Sequence, residues 1–296
     1  MPGPQGRCWL CGKVGTLTRE HIPPESAFND VPLLLMKVDE HAREEGALGW
    51  EPQQQFSNGL YIRSVCGHCN NRCGKLYGGA YVDLVRRIAE RIGDLQDFHT
   101  LSLQGVKRPL AILKQVIFQF VSANGQSFVR ANDWVAPFLK DSRNQSIPSN
   151  VGVYLFASNC RGGKKTGVSS HIDLTGAVHC NIVAEFSFWP LGTIMSFGHL
   201  KHRGLAPIHQ WVDHPFNSER KSDLDLPVNP IRSPYPLDFR SESQILRDSV
   251  AAAPVMKQPS QEELRRMIAE TLKYSGTDDK DFVFSGHPGT ARKLAD

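Results

Sequence analysis

Nowhere in the 296 residues do about 18–20 apolar side chains follow one another unbroken, so no membrane-spanning helix is expected. The longest candidate, residues 180–198, is interrupted by Asn181, Glu185 and Pro190. The opening residues, Met1-Pro-Gly-Pro-Gln-Gly-Arg-Cys8, lack the apolar stretch of a secretory signal. Cysteine is scarce, and its count of seven is odd, which argues against a complete disulfide framework. A soluble protein of the reducing cytoplasm, with thiols free to bind metal, is the expectation. Neither sign of charge dominates: 34 Lys+Arg stand against 30 Asp+Glu, for a net charge of +4. That excess permits a polyanionic partner without demanding one. Internal repeats are also missing. What remains, with 40% hydrophobic residues, is an ordinary globular chain with a real core, long enough for one large domain or two smaller ones.

The informative residues are concentrated in the first quarter. Cys8-Trp-Leu-Cys11 and Cys66-Gly-His-Cys69 are two Cys-x-x-Cys pairs, and each offers two thiolates from one tight turn. Together they form the ligand set of a closed, structural zinc site, since zinc takes four soft ligands in a tetrahedron. The spacer exceeds the roughly 15–20 residues of a simple ribbon, so the ion would clip the ends of a sizeable subdomain. Four reduced cysteines near one another by chance are the bland alternative. Cys73 and His68 are adjacent extra candidates, although His68 sits between two cysteines and its ring is expected to point away. Residues 8–76 are too rich in Cys, Gly and Pro to bury much surface alone, and a metal would act as their staple.

Between the pairs lies Leu17-Thr-Arg-Glu-His-Ile-Pro-Pro24. Neighbours at a strand end point to opposite sides, so Glu20 can face a metal while His21 faces a substrate phosphate. An imidazole of near-neutral pKa can take a proton from water. Taken alone, a Glu-His doublet would be read as surface residues. Asn70, directly after the last cysteine, could cap a helix or offer its amide oxygen to a hard cation, and Asn71 could take either part.

Further along, apolar spacing predicts helices over residues 81–94 and 110–123, the second buried on most sides. Asn132-Asp133 is expected to cap a short third helix running to Lys140. Strands are expected over 151–157, 179–188 and 192–198, the last two meeting in a hairpin at Trp189-Pro190. Residues 213–240 read as a Pro- and Ser-rich loop, and residues 260–274 as a capped amphipathic helix before a polar tail. Residues 30–57 read as an insertion whose charged part, 37–45, could be helical. Cys160, Cys180, Trp189 and Trp211 read as packing residues, and His199-Leu-Lys-His202 is a weak metal pattern.

Cys-x-x-Cys-Gly, then Leu-Thr-Arg-Glu-His-Ile-Pro-Pro, then Cys-x-x-Cys-Asn-Asn resembles the HNH family of ββα-metal endonucleases. Within it, the match is nearest to members of the recombination endonuclease VII type, with two zinc knuckles and Asn after the final Cys. The resemblance covers about residues 8–78. It implies that Glu20 binds a divalent metal such as Mg²⁺, that His21 is the general base and that Asn70 completes the metal site. Cys8, Cys11, Cys66 and Cys69 would hold structural zinc. Family members commonly orient the base with a further Asn, for which Asn58 is a loose candidate. Two features depart from the pattern: Glu where Asp is frequent, and the long insertion before Cys66.

The implied fold class is α+β. A zinc-stapled ββα module (residues 1–98) would precede a mixed α/β region with antiparallel strands (99–212), followed by a linker, helix and tail (213–296). The implied activity is metal-dependent hydrolysis of phosphodiester bonds in DNA, with RNA still open. A nickase, a double-strand cutter and a phage-defence effector all fit. Arg19, Arg72 and Lys75 could hold phosphates, and Arg86, Arg87 and Arg91 could line a backbone path; ordinary solvated charges are the alternative for all six. A non-catalytic zinc module that binds nucleic acid or protein is the competing reading, and the region after residue 98 could mediate a homodimer or a partner contact.

Overall fold

Alternation of apolar and polar residues in Val14–His21 and Tyr61–Cys66 produces two strands that pair antiparallel, the scaffold for everything that follows. The computed structural model describes residues 3–38, 50–92, 100–158, 163–173, 179–198, 200, 205–217, 221–229 and 260–275. In chain order, β1 (Gln5–Arg7), β2 (Val14–His21) and β5 (Tyr61–Cys66) make a three-stranded sheet in the order β1-β2-β5. The insertion contributes a separate antiparallel pair, β3 (Leu33–Val38) with β4 (Trp50–Phe56). Its charged part beyond residue 38 lies outside the described residues. From Cys66 the chain enters α1 (Gly67–Cys73), passes through a π-helical turn (Gly74–Gly78) and continues as α2 (Gly79–Ile92). Inserted π-turns of this kind often accompany functional sites.

A larger sheet follows. Its strands are β6 (Thr100–Val106), β7 (Val151–Ser158), β8 (Gly163–Asp173), β9 (His179–Phe188), β10 (Leu191–Phe197), β11 (Ala206–Pro207) and β12 (Ser222–Asn229). The order is β6-β12-β7-β10-β9-β8, with β11 also on β7. Pairing is antiparallel except for β12 on β7. Against it packs α3 (Pro109–Ala131), buried on every side from Pro109 to Ala123. Then come the short α4 (Val135–Lys140) and, late in the chain, α5 (Gln261–Ser275). Tyr274 of α5 stacks on Phe197 at 4.1 Å between ring centroids.

The architecture is mixed α+β with antiparallel sheets and a four-cysteine cluster near the N-terminus. Among the described residues no helix is long and apolar enough to cross a membrane. One core cluster takes in Cys8, Val65 and Tyr81 together with Leu113, Met195 and Leu226, so apolar packing runs across residue 98 without a break. Ser64 of β5 and Ser122 of α3 share a hydrogen bond of 2.7 Å in that seam.

Several local expectations need correction. Part of the expected loop at 213–240 is β12, in which Leu224, Leu226 and Val228 are buried while Asp223 and Asp225 alternate with them; its Ser, Asp and Pro content masked a period of two. Strands β6 and β8 were not expected at all. The long helix runs past residue 123, with a break at Gly125 (φ 91°) that only glycine accommodates without strain. Asn132 does not start the next helix: its amide donates to Phe128 O and Tyr274 O and closes α3 instead. The Trp189-Pro190 hairpin is present, and Trp211 is buried as expected. Cys160, His199, His202 and the polar tail lie outside the described residues.

Candidate metal centre and active site

The first cysteine pair sits in the turn between β1 and β2. Cys11 N lies 3.5 Å from Cys8 Sγ, and Gly12 follows at φ 75°, a left-handed conformation suited to glycine. Trp9 N bonds to Ser64 O at 2.9 Å and ties this turn to β5. The second pair spans the end of β5 and the first turn of α1, so a bound ion would join strand to helix. All four sulfurs lie within 4.8 Å of one another. Cys11 Sγ and Cys66 Sγ are 3.8 Å apart. A tetrahedron with metal–sulfur bonds of about 2.3 Å has edges of about 3.8 Å, whereas a disulfide would need about 2.05 Å. The four thiols could therefore hold a zinc ion. Hydrogen bonding between the two pulls the Cys8 thiol down and pushes the Cys69 thiol up. His68 is exposed and belongs to no such cluster.

Next to this cluster the two faces of β2 divide the work. Glu20 is buried, whereas Arg19 is exposed and His21 half-buried, and a register shift between Thr18 and Arg19 interrupts the strand's period of two. Asn70, the fourth residue of α1, donates its amide to Thr18 Oγ1 (3.1 Å) and Arg19 O (2.8 Å). The helix starts at Gly67 with Cys66 at its N-cap, so Asn70 is not the cap. Both bonds use Nδ2, and Oδ1 has no hydrogen-bond partner among the described residues.

Glu20 is 5% exposed, and burial pushes its carboxyl up to about 8. Among the described residues nothing donates to it or pairs with it. A buried carboxyl without a donor is costly, and a cation is one of the few ways to satisfy it.

On the outer face His21 Nε2 is 3.2 Å from Asn58 O. A carbonyl only accepts, so Nε2 is the donor, and in the neutral ring the lone pair is on Nδ1. Asn58 thus reaches the histidine through its backbone, while its side chain donates to Glu25 Oε1 at 2.9 Å. Fully buried Asn29 fixes the surrounding loops: Nδ2 donates to Pro23 O and Leu60 O, and Oδ1 accepts from Leu60 N. The His21 ring meets Tyr61 edge to face at 5.7 Å, and the Arg19 guanidinium lies 4.6 Å over the same ring. Arg63 is directly opposite Arg19 across the pair of strands. Tyr61 and Arg63 were not singled out in the sequence. Their alternation in Tyr-Ile-Arg-Ser-Val-Cys66, leading into the second knuckle, was the available signal.

The expected basic residues divide. Arg19 is exposed at the site, and Lys75 is exposed on the π-helical turn. Arg72 instead donates to Lys140 O at 2.7 Å. Arg87 and Arg91 are spent on carbonyls of β6, at Gln104 and Ser102, where they cover the edge of the large sheet. Arg86 is exposed. Behind the site, fully buried Lys114 gives its ammonium to Phe138 O, Asp141 O and Asn144 O, and sequence reading passed over it inside an apolar run.

No family model matches the chain, and neither a curated protein nor a solved structure matches it at a significant level.

Proposed function

We propose that the chain is a metal-dependent endonuclease of the HNH type, acting on DNA or RNA. One observation carries the reading. Helix α1 is pinned by Asn70 to the strand that bears Glu20 and His21, which leaves a buried, unpaired carboxyl on one side and a positioned imidazole on the other.

His21 takes a proton from water through Nδ1, because Nε2 is held by Asn58 O. The deprotonated water attacks phosphorus. Since His21 is the last residue of β2, substrate at the strand end meets both faces at once. Glu20 and Asn70 Oδ1 would hold Mg²⁺ or another divalent cation, which would neutralise the charge growing on the leaving 3′ oxygen. Their donor set suits it: one carboxylate without a competing donor and one amide oxygen turned away from its own hydrogen bonds. Arg19 and Lys75 supply positive charge for the phosphate backbone, while Arg63 beside them also donates to Leu17 O. Zinc on Cys8, Cys11, Cys66 and Cys69 would take no part in the chemistry and would tie the β1–β2 turn to the junction of β5 and α1.

The test is cleavage of supercoiled plasmid with Mg²⁺ or Mn²⁺, beside His21→Ala and an EDTA control. Removing a positioned base is expected to slow cutting by about 10²–10⁴-fold with zinc content unchanged. Cutting at the wild-type rate by His21→Ala rejects His21 as the base. A folded, zinc-loaded wild type that cuts neither DNA nor RNA with either metal leaves the non-catalytic binding module.

A further inference from the structure

Helix α3 is buried from Pro109 to Ala123, yet one line along it is polar. Gln115, Gln119 and Ser122 stand at the i, i+4, i+7 spacing of a single helix face. Three contacts turn that line toward the N-terminal module. Ser122 shares its hydrogen bond with Ser64 of β5. Gln119 lies close to Tyr81 of α2: burial pushes the phenol up, and Gln119 pulls it part of the way back. Gln115 Oε1 stands over Gly78, the last residue of the π-helical turn. Only the serine contact closes into a regular hydrogen bond. Gln115 Oε1 and both amide atoms of Gln119 are buried with no hydrogen-bond partner among the described residues. Exchanging the two ends of the Gln119 amide repairs nothing, because neither end is paired. There is also room. Gly78 is buried, and a methyl group built on it would meet only Gln115 Oε1, at 3.9 Å, apart from the turn's own backbone. Buried amide atoms left unpaired are costly, and a leucine would fill the same place without that cost.

We infer that the seam between α3 and the N-terminal module binds ordered water, with one molecule on Gln115 Oε1 beside Gly78 and one between the Gln119 amide and the Tyr81 hydroxyl. Water, together with the Ser64–Ser122 bond, then joins α3 to β5, the π-helical turn and α2. The chemistry of the line selects the ligand. It mixes donors with acceptors and holds no charged side chain, which suits a neutral molecule that both donates and accepts better than it suits an ion. Gln119 and Tyr81 are near enough to affect each other without bonding directly, the arrangement a bridging water completes. The site is independent of the proposed hydrolysis.

Oxygen-17 relaxation dispersion counts water molecules held inside a protein for longer than it takes to tumble. Full-length, zinc-loaded protein is compared with the double variant Gln115→Leu, Gln119→Leu. The double variant is expected to lose about two long-lived waters, and the difference between the proteins cancels water held elsewhere. A crystal structure of the wild type should show both molecules, each about 2.7–3.2 Å from its amide atom. An unchanged dispersion in a folded double variant overturns the inference. So does a crystal structure in which the seam is dry, or in which the Gln115 and Gln119 amides bond to protein groups instead. Should the double variant fail to fold, Gly78→Ser decides. Its hydroxyl takes the place beside Gln115 Oε1, so about one of the two waters should be lost, and a wild-type count in that variant overturns the inference.

Discussion

Glu20→Gln tests whether a buried carboxyl is kept at a cost to the fold for the sake of a cation. Gln has nearly the same shape but never ionises. In the wild type burial raises the Glu20 ionisation from 4.5 to about 8. The folded chain therefore binds this proton more tightly than the unfolded chain does. The stability so gained is complete below about 4.5 and is lost as pH rises towards 8. At 1.36 kcal/mol per tenfold, the loss amounts to roughly 2 kcal/mol by pH 6 and roughly 4 kcal/mol by pH 8. Glu20→Gln escapes that loss. Its stability relative to the wild type should therefore grow by about 2 kcal/mol between pH 6 and pH 8, whatever constant offset the new amide introduces.

The assay is urea unfolding of both proteins at the two pH values, with zinc retained and no other divalent metal. Taking the difference between proteins removes every other titrating group. A second arm adds Mn²⁺ or Co²⁺ at pH 8. The wild type should gain RT ln(1 + [M]/Kd), while Glu20→Gln gains little. Parallel pH profiles for the two proteins would refute the argument, and so would a variant less stable at pH 8 than at pH 6 relative to wild type. Equal stabilisation of both by added metal would remove Glu20 from the metal site even if the pH profile held.

Two further perturbations probe the scaffold. Cys11→Ser breaks the four-sulfur set, and elemental analysis should fall from about one zinc per chain to nearly none, with wild-type zinc resisting mild chelation; undiminished zinc in Cys11→Ser would move the ion elsewhere. Lys114→Met keeps the stem and removes the ammonium, which strands the carbonyls of Phe138, Asp141 and Asn144. Only Phe138 is buried, while Asp141 is exposed and Asn144 half-buried; at about 1–3 kcal/mol for an unsatisfied buried group, unfolding should become easier by about 1–3 kcal/mol, and an unchanged denaturation midpoint would refute that role.

What the sequence disclosed depended on how local the signal was. The cysteine knuckles, the division of Glu20 and His21 between two faces and the Trp189-Pro190 hairpin follow from spacing alone, since each is set within a few residues. Helix α3 was legible from its apolar run, but its extent was not, because Asn124-Gly125 looks like an end and is a break. Strand β12 was missed because its partner, β6, is more than a hundred residues away, and turn-like residues sit among its buried leucines. The arginines failed for a different reason. Charge suggested phosphate contacts, but Arg72, Arg87 and Arg91 meet carbonyls that only the tertiary fold brings to them. Tyr61 and Arg63 joined the site through pairing with β2, and pairing depends on a register that no single strand reveals.

That pairing also bears on how closely the two proposed metal centres would depend on each other. Cys69 and Asn70 are adjacent in α1, and Cys66 ends the strand whose other end, Tyr61, packs on His21. Losing zinc would free the β1–β2 turn, with Cys8 and Cys11, from the junction of β5 and α1. The two bonds from Asn70, at about 0.5–1.5 kcal/mol each, the Arg72–Lys140 bond and the burial of Cys69 and Cys73 would then hold the helix without a metal site whose binding energy is folding energy. Dependence in the other direction is far weaker. Removing Glu20 or the His21 ring leaves the four sulfurs, the Trp9–Ser64 bond and the buried core beneath β5 in place. Stripping zinc should therefore disable both sites, whereas disabling the proposed chemistry should leave zinc where it is. Were a first metal to place the residues next in sequence, this asymmetry would follow.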